Sequence, residues 1–430
     1  MSIDGVLTRD EWVKAAKCYL GTCKFQLLDY TVKMLGGDGG GFLGEHRLVD
    51  VTVRLEGSND PPRVLHFFYK TEPQAMPEQK DIITQTGCFR KEVEAVDTLF
   101  ARLRAALVDN GTGMEWSCKC YYTRPDVIVL ENLAIQGFRI IQNRDPIGFQ
   151  HCAVVLKALA NLHSASLIFE ETHSKKPCRL DSEFKDVLAE GFFRYSPNHP
   201  GLAWLKAGIK GVWTLVDHLR GEDYLRRTKT KLEEAILIFY ELEKPSKRFR
   251  NVVNQGDMWR NNIFFRFEDD KPVEARLIDF QLVRYAPPAN DISCFLYLST
   301  RREFRKEYSQ KLYALYYDHL SDNLKRNGLD PEKVLPWEEF KASCEFYKML
   351  GVVASAAYSS VIFPNAADMS HVFASSEEFN RFLLHERSPE ILQAFKNDDF
   401  YRGKATEIIE EFIEECIDKK FDKNFYLSYF

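Results

Sequence analysis

The run Asn254-Gln255-Gly256-Asp257-Met258-Trp259-Arg260-Asn261-Asn262, followed by Ile278-Asp279-Phe280, constrains this chain more than any other feature. Asp257 stands five residues before Asn262, and Asp279 closes an apolar run. Kinase catalytic loops carry the same spacing. There the first Asp receives or orients the attacking hydroxyl, and the Asn and second Asp hold the magnesium ions that bridge the ATP phosphates. Phosphoryl transfer needs hard oxygen ligands for Mg²⁺ and a carboxylate beside the nucleophile. Asp257, Asn262 and Asp279 offer these groups in that order. Any one of them alone reads as a solvated loop residue. Together, with apolar flanks Val252-Val253 and Ile263-Phe264-Phe265, they read as a catalytic base and two metal ligands.

The order of elements before this motif points the same way. Residues 9–20 read as a helix and residues 25–35 as a strand, followed by a glycine-rich stretch at 36–44. Residues 48–55 alternate strictly, with Val49, Val51, Val53 and Leu55 on one face. Residues 57–62 form a turn cluster, and residues 64–69 a third strand that ends at Lys70. A long helix is expected over residues 81–107, where Phe89, Val93, Val96, Phe100 and Leu103 recur at helical spacing. Glu92 falls on the rim of that apolar stripe and Glu94 on the opposite side, so Glu92 wants a cation. Strands at 119–123 and 126–130 follow, then the connector Glu131-Asn132-Leu133.

These elements predict an α+β, protein-kinase-like bilobal fold. Residues 1–132 would form a small antiparallel-sheet lobe, and residues 133–430 a large helical lobe interrupted by one short strand pair around 252–280. Lys70 and Glu92 would form the ion pair that positions the α/β-phosphates. The loop containing Gly39, Gly40 and Gly41 would cover the phosphates with backbone N–H groups, although it matches neither the usual kinase pattern nor a P-loop. Residues 127–131 would be the hinge that bonds the adenine edge, with Glu131 and Leu133 at the nucleotide.

Composition sets the outer limits. A chain of 430 residues with 45% hydrophobic content can bury one large or two smaller cores. The net charge of −5 and isoelectric point near 6.1 argue against a nucleic-acid surface. The first twenty residues carry no apolar core of signal-peptide length. The uncharged run 349–363 is too short to span a bilayer and reads as a buried helix. The ten cysteines fit no zinc spacing, so free thiols in a reducing cytosol are the simplest account. A cytoplasmic location without a membrane span is the expectation; oligomeric state stays open. His163 shares a helix face with Phe149, Ala153, Leu156 and Ala160 and reads as a core histidine. Trp259 reads as packing.

The chain resembles the ecdysteroid kinase-like family of arthropods, which is related to choline kinases and aminoglycoside phosphotransferases. The matching pieces are Phe68-Tyr69-Lys70, Phe89-Arg90-Lys91-Glu92, Val129-Leu130-Glu131-Asn132-Leu133, the segment 159–166, Gln255-Gly256-Asp257-Met258-Trp259-Arg260-Asn261-Asn262 and Ile278-Asp279-Phe280-Gln281, with 282–298 including Asp291. The resemblance implies ATP- and Mg²⁺-dependent phosphorylation of a hydroxyl on a hydrophobic small molecule, an ecdysteroid or a xenobiotic alcohol. It carries over Asp257 as base, Asn262 and Asp279 as metal ligands, and Lys70 with Glu92 as the ATP-positioning pair. One position departs from the family pattern: Gln255 stands where a histidine is usual. Gln has both donor and acceptor at similar reach, so a bracing role is expected to survive. The competing reading is a weak or inactive kinase-fold protein that binds a hydrophobic ligand. A protein kinase is disfavoured, because too few residues separate Asp279 from Asp291 for an activation segment.

Overall fold

The computed structural model describes residues 7–35, 44–73, 77–142, 144–173, 178–365 and 369–430. Helix α1 (Arg9–Leu20) begins with a capping box, in which the Thr8 side chain and Glu11 satisfy each other's backbone donors. Strands β1 (Phe25–Met34), β2 (Glu45–Leu55), β3 (Arg63–Thr71), β4 (Cys120–Arg124) and β5 (Val127–Glu131) form an antiparallel sheet in the order β1-β2-β3-β5-β4. The alternation in β2 is realised: Val49, Val51 and Val53 are fully buried, and they pack with Trp12 of α1 and with Phe67 and Tyr69 of β3.

The helix expected over 81–107 is broken. Helix α2 (Pro77–Thr86) stops at Gly87, which takes a left-handed φ of +67°, and α3 (Cys88–Glu94) starts from it in a new direction. Glycine makes that turn without a Cβ penalty. A π turn (Ala95–Leu99) then leads into α4 (Phe100–Ala105). The hydrophobic repeat is real, since Phe89, Val96, Phe100 and Leu103 are all buried. The period simply runs across a corner that only the glycine reveals.

The remainder is mostly helical, but it holds more sheet than the single strand pair expected. Strands β6 (Phe138–Ile140), β8 (Ile263–Glu268) and β9 (Lys271–Leu277) form one small sheet, and β7 (Val252–Asn254) pairs with β10 (Arg284–Ala286) in another. These short ladders hold the segments on either side of the motif loop in register. Helix α5 (Phe149–Thr172) packs against β9 and against α8 (Arg302–Arg326); α7 (Ala289–Ser299) lies along α9 (Trp337–Ile362), which also meets α6 (Pro200–Arg220). By length and composition α5 could cross a membrane, but it is almost wholly enclosed by the fold. The run 349–363 is a buried helix as expected, the inner half of α9. All ten cysteines are free.

Candidate active site

Strand β3 delivers Lys70 to the junction of the sheet and the helical part, where its side chain is only 5% exposed. The turn at Gly87 lays α3 across that junction and buries Glu92 to 2% exposure. Lys70 Nζ donates to Glu92 Oε2 at 2.7 Å and to Asp279 Oδ1 at 3.0 Å. Glu92 Oε1 accepts from the Phe280 amide at 3.3 Å. One ammonium therefore joins a strand, a helix and the Asp279 segment. Burial works against the charge on Lys70, but Asp279 and Glu92 outweigh it and hold the lysine pKa above its usual range. The neighbouring Lys91 turns the other way and donates to the Ala189 carbonyl at 2.8 Å, anchoring α3 to the helical part.

The loop bearing Asp257 is braced from three sides. Asp291, fully buried on α7, accepts from the amides of Gln255 at 2.7 Å and Gly256 at 2.9 Å. Gln255 Nε2 donates to the carbonyls of Ile278 at 2.9 Å and Asp279 at 2.8 Å, while its Oε1 accepts from the Asp257 amide at 2.7 Å. Gly256 has φ +85°, and a Cβ there would lie 2.0 Å from the Leu282 carbonyl oxygen. Both the dihedral and the close approach demand glycine. Arg260 donates to the carbonyls of Gln142, Asp145 and Ser299, tying the far side of the loop down.

Asn262 Nδ2 donates to the backbone oxygen and to Oδ2 of Asp257, both at 2.9 Å. That leaves its Oδ1 as a hard oxygen ligand. Asp279 takes a left-handed φ of +59°, uncommon outside glycine, which aims its carboxylate back at Lys70. Burial, and after it the charge of Asp279, push the Asp257 carboxyl up to about 7, against hydrogen bonds from Asn262 and Trp259. The Asp257 and Asp279 carboxylates, with the Asn262 amide oxygen beside them, are a donor set suited to a divalent cation.

A model of the ecdysteroid kinase-like family matches residues 44–329, well over half of the sequence. The chain belongs to the ecdysteroid kinase-like family. Among solved structures it is similar to a Plasmodium vivax ethanolamine kinase at 11% identity, with 87% of this chain and 83% of that one covered and a TM-score of 0.36. It is also similar to a microcompartment-associated aminopropanol kinase (11% identity, 93% and 93% covered, TM-score 0.39). A third is the GDP complex of aminoglycoside 2'-phosphotransferase-IIIa (11% identity, 95% and 100% covered, TM-score 0.35). No curated protein sequence matches significantly.

In this ecdysteroid kinase-like chain, the structure brings Lys70, Glu92 and Asp279 into one cluster and Asp257 with Asn262 into a second beside it. Gly39, Gly40 and Gly41 lie outside the described residues. The hinge expected over 127–131 needs correction. Residues 127–130 already spend their backbone in ladders with β3 and β4, and the Glu131 amide donates to the Lys119 carbonyl. The chain leaves the sheet only at Asn132 and Leu133. The Glu131 carboxylate is occupied by Gln136 Nε2 and the Lys119 amide.

Sequence reading assigned no role to three groups that position this site. Asp291 carries two amides of the loop. His163 is a core histidine as expected, but its two ring nitrogens link Asp291 at 3.2 Å to the Tyr316 hydroxyl at 2.7 Å. Trp259, read as packing, is partly buried, and its indole helps to hold the Asp257 carboxyl pKa down. The segment 159–166 and Asp291 both lie in the matching pieces, which was the available signal. Neither spacing nor period could show that they meet.

Proposed function

We propose that this chain transfers the γ-phosphoryl group of ATP to a hydroxyl of a hydrophobic small molecule, an ecdysteroid or a xenobiotic alcohol. The observation that carries the reading is Lys70 bridging Glu92 and Asp279 while Asn262 holds the Asp257 carboxylate beside them. Lys70, oriented by Glu92, binds the α/β-phosphates, and the chain leaving β5 at Asn132 and Leu133 meets the adenine. Asn262 and Asp279 would hold Mg²⁺, which when bound neutralises charge on the β- and γ-phosphates. Asp257 orients the acceptor hydroxyl for in-line attack and takes its proton as the new O–P bond forms and ADP leaves.

The turn before Asp257 packs against Arg284 and, through it, a cluster of aromatic rings. Arg284 Nε lies 3.0 Å from the Cβ position of Gly256, and its guanidinium covers the Phe193 ring at 5.5 Å. Phe193 touches Trp204 at 5.8 Å between ring centroids, and Trp204 touches Tyr358 at 4.7 Å. Burial and the nearby Asp257 charge push the Tyr358 phenol well up. Tyr358 joins this cluster through Trp204, whereas Phe363, at the end of the same helix, lies under Lys404. A screen of ecdysteroid and xenobiotic alcohols with labelled ATP tests the proposal. Label appearing in an alcohol with wild type and not with Asp257→Asn supports it. ATP binding without transfer to any alcohol would favour the inactive binding protein.

A further inference from the structure

We propose that His173, Cys178 and Glu183 form a binding site for a zinc ion, apart from the oxygen donors Asp257, Asn262 and Asp279. His173 follows the last residue of α5, and Cys178 and Glu183 come after it at intervals of five residues. His173 Nε2 lies 3.5 Å and Cys178 Sγ 3.7 Å from Glu183 Oε2. The ligand atoms of all three residues lie within 4.8 Å of one another. Bonds of about 2.0–2.3 Å to zinc set neighbouring ligand atoms roughly 3.3–3.7 Å apart on a tetrahedron. Two of the three separations already have that length. The third, between His173 and Cys178, closes with a modest side-chain rotation.

The donor set selects the metal. A thiolate and an imidazole with one carboxylate suit zinc, whereas Mg²⁺ and Ca²⁺ take oxygen ligands. Three protein ligands leave the fourth tetrahedral position to water. Glu183 is not used up by its ion pair. Arg102 Nη2 takes Oε1 at 2.7 Å, while Oε2 faces His173 and Cys178. Ligating carboxylates are commonly hydrogen-bonded in this way from outside the metal. Arg102 is itself fixed, because its guanidinium lies over the Phe169 ring at 5.7 Å and the Phe184 ring at 5.9 Å. With Arg102 counted, the Cys178 thiolate still leaves the site net negative. In the metal-free chain the Cys178 S–H points at Glu183 Oε2, and burial with that carboxylate pushes the thiol pKa up. Its proton passes to solvent as the Zn–S bond forms.

Both segments are in place before any metal arrives. The His173 amide donates to the Phe169 carbonyl at 3.0 Å, and its ring packs on Phe169 at 5.3 Å between centroids. On the other side Leu180 is fully buried and its amide donates to Glu170 at 2.8 Å, which anchors the short helix Leu180–Glu183. A preorganised site loses little freedom on binding, and zinc would staple the end of α5 to this helix. Cysteine spacing could not reveal such a site, since only one of its ligands is a cysteine.

Calorimetric titration of the full chain with Zn²⁺, in excess Mg²⁺ to occupy the oxygen donors, tests the proposal. The expected result is one zinc per chain, with affinity at least about tenfold weaker in His173→Ala and in Cys178→Ser, the scale on which even outer-shell partners act. Co²⁺ should give a near-ultraviolet thiolate charge-transfer band that Cys178→Ser abolishes. Cys23→Ser, which removes an exposed thiol elsewhere, should keep it. Asp279→Ala should bind zinc as wild type does. If a site variant fails to fold by circular dichroism, alkylation of the wild type read by mass spectrometry decides: zinc should slow modification of Cys178 and leave that of Cys23 unchanged. The proposal is overturned by no saturable zinc binding, by unchanged affinity in folded His173→Ala or Cys178→Ser, by a charge-transfer band that survives Cys178→Ser, by loss of binding in Asp279→Ala, or by zinc that leaves Cys178 unprotected.

Discussion

Gln255 donates through Nε2 to the carbonyl oxygen of Asp279 at 2.8 Å, so the loop that presents Asp257 and the segment that presents Asp279 are locked by one side-chain amide. The same amide accepts from the Asp257 backbone through Oε1. A histidine can make one such donation and one acceptance, which explains how glutamine fills a position where the family usually has histidine. Gln255→His is expected to change kcat by only a few-fold and to add no new limb to the pH profile near the imidazole pKa of roughly 6.5. Gln255→Leu leaves these backbone groups unpaired, at a cost of about 1–3 kcal/mol, and should lower Tm and activity together. Full activity in the leucine variant would remove the bracing role.

Asp291 is the second brace, and its loss should be worse. Asp291→Ala strands two buried amides and one nitrogen of His163, a cost of about 3 kcal/mol or more. Denaturant unfolding should show that loss. His163→Ala should show a smaller one, and the double variant should fall short of the sum, because the two side chains share a hydrogen bond. Additive losses would mean that the pair acts independently.

Lys70 and Glu92 exist to place each other. Each truncation to Ala should cut kcat/KM strongly, with the double variant little worse than the worse single one. Strictly additive losses in transition-state free energy would contradict the 2.7 Å contact as a functional unit.

Asp257 yields a linked pair of expectations. Asp257→Asn should abolish phosphoryl transfer while ATP still binds. It should also stabilise the metal-free protein. With a folded-state pKa raised from 3.8 to about 7, the folded chain holds a proton that the unfolded chain releases. Wild-type stability from this group therefore declines as pH rises from about 4 to about 7 and stays low above that. The stability difference between Asn variant and wild type should vanish near pH 4 and reach about 2–4 kcal/mol above pH 7. Thermal melts in EDTA across that range would expose a flat difference, which would refute the assignment.

The metal expectation concerns Asp279. Calorimetry should find ATP affinity raised by Mg²⁺ in wild type and insensitive to it in Asp279→Ala. Equal affinities with EDTA, with Mg²⁺ and in the variant would argue that neither Asp279 nor Asn262 serves a cation.

Local pattern was enough for much of this protein. The alternation of Val49, Val51 and Val53 fixes which face of β2 is buried, and the repeat through Phe89, Phe100 and Leu103 fixes which face of the helical segment packs. The spacing of Asp257, Asn262 and Asp279 fixes the chemistry on offer, because those constraints act between near neighbours in the chain. Tertiary structure decided the rest. It turned the expected long helix at Gly87, where a positive φ outweighs hydrophobic period, and so aimed Glu92 at Lys70. It committed the backbone of 127–130 to two ladders and pushed the free chain on to Asn132. It brought His163 and Asp291, distant in sequence, beneath the Asp257 loop. Such contacts depend on which buried polar groups must find partners once the chain is compact, and a one-dimensional pattern carries no record of that pairing.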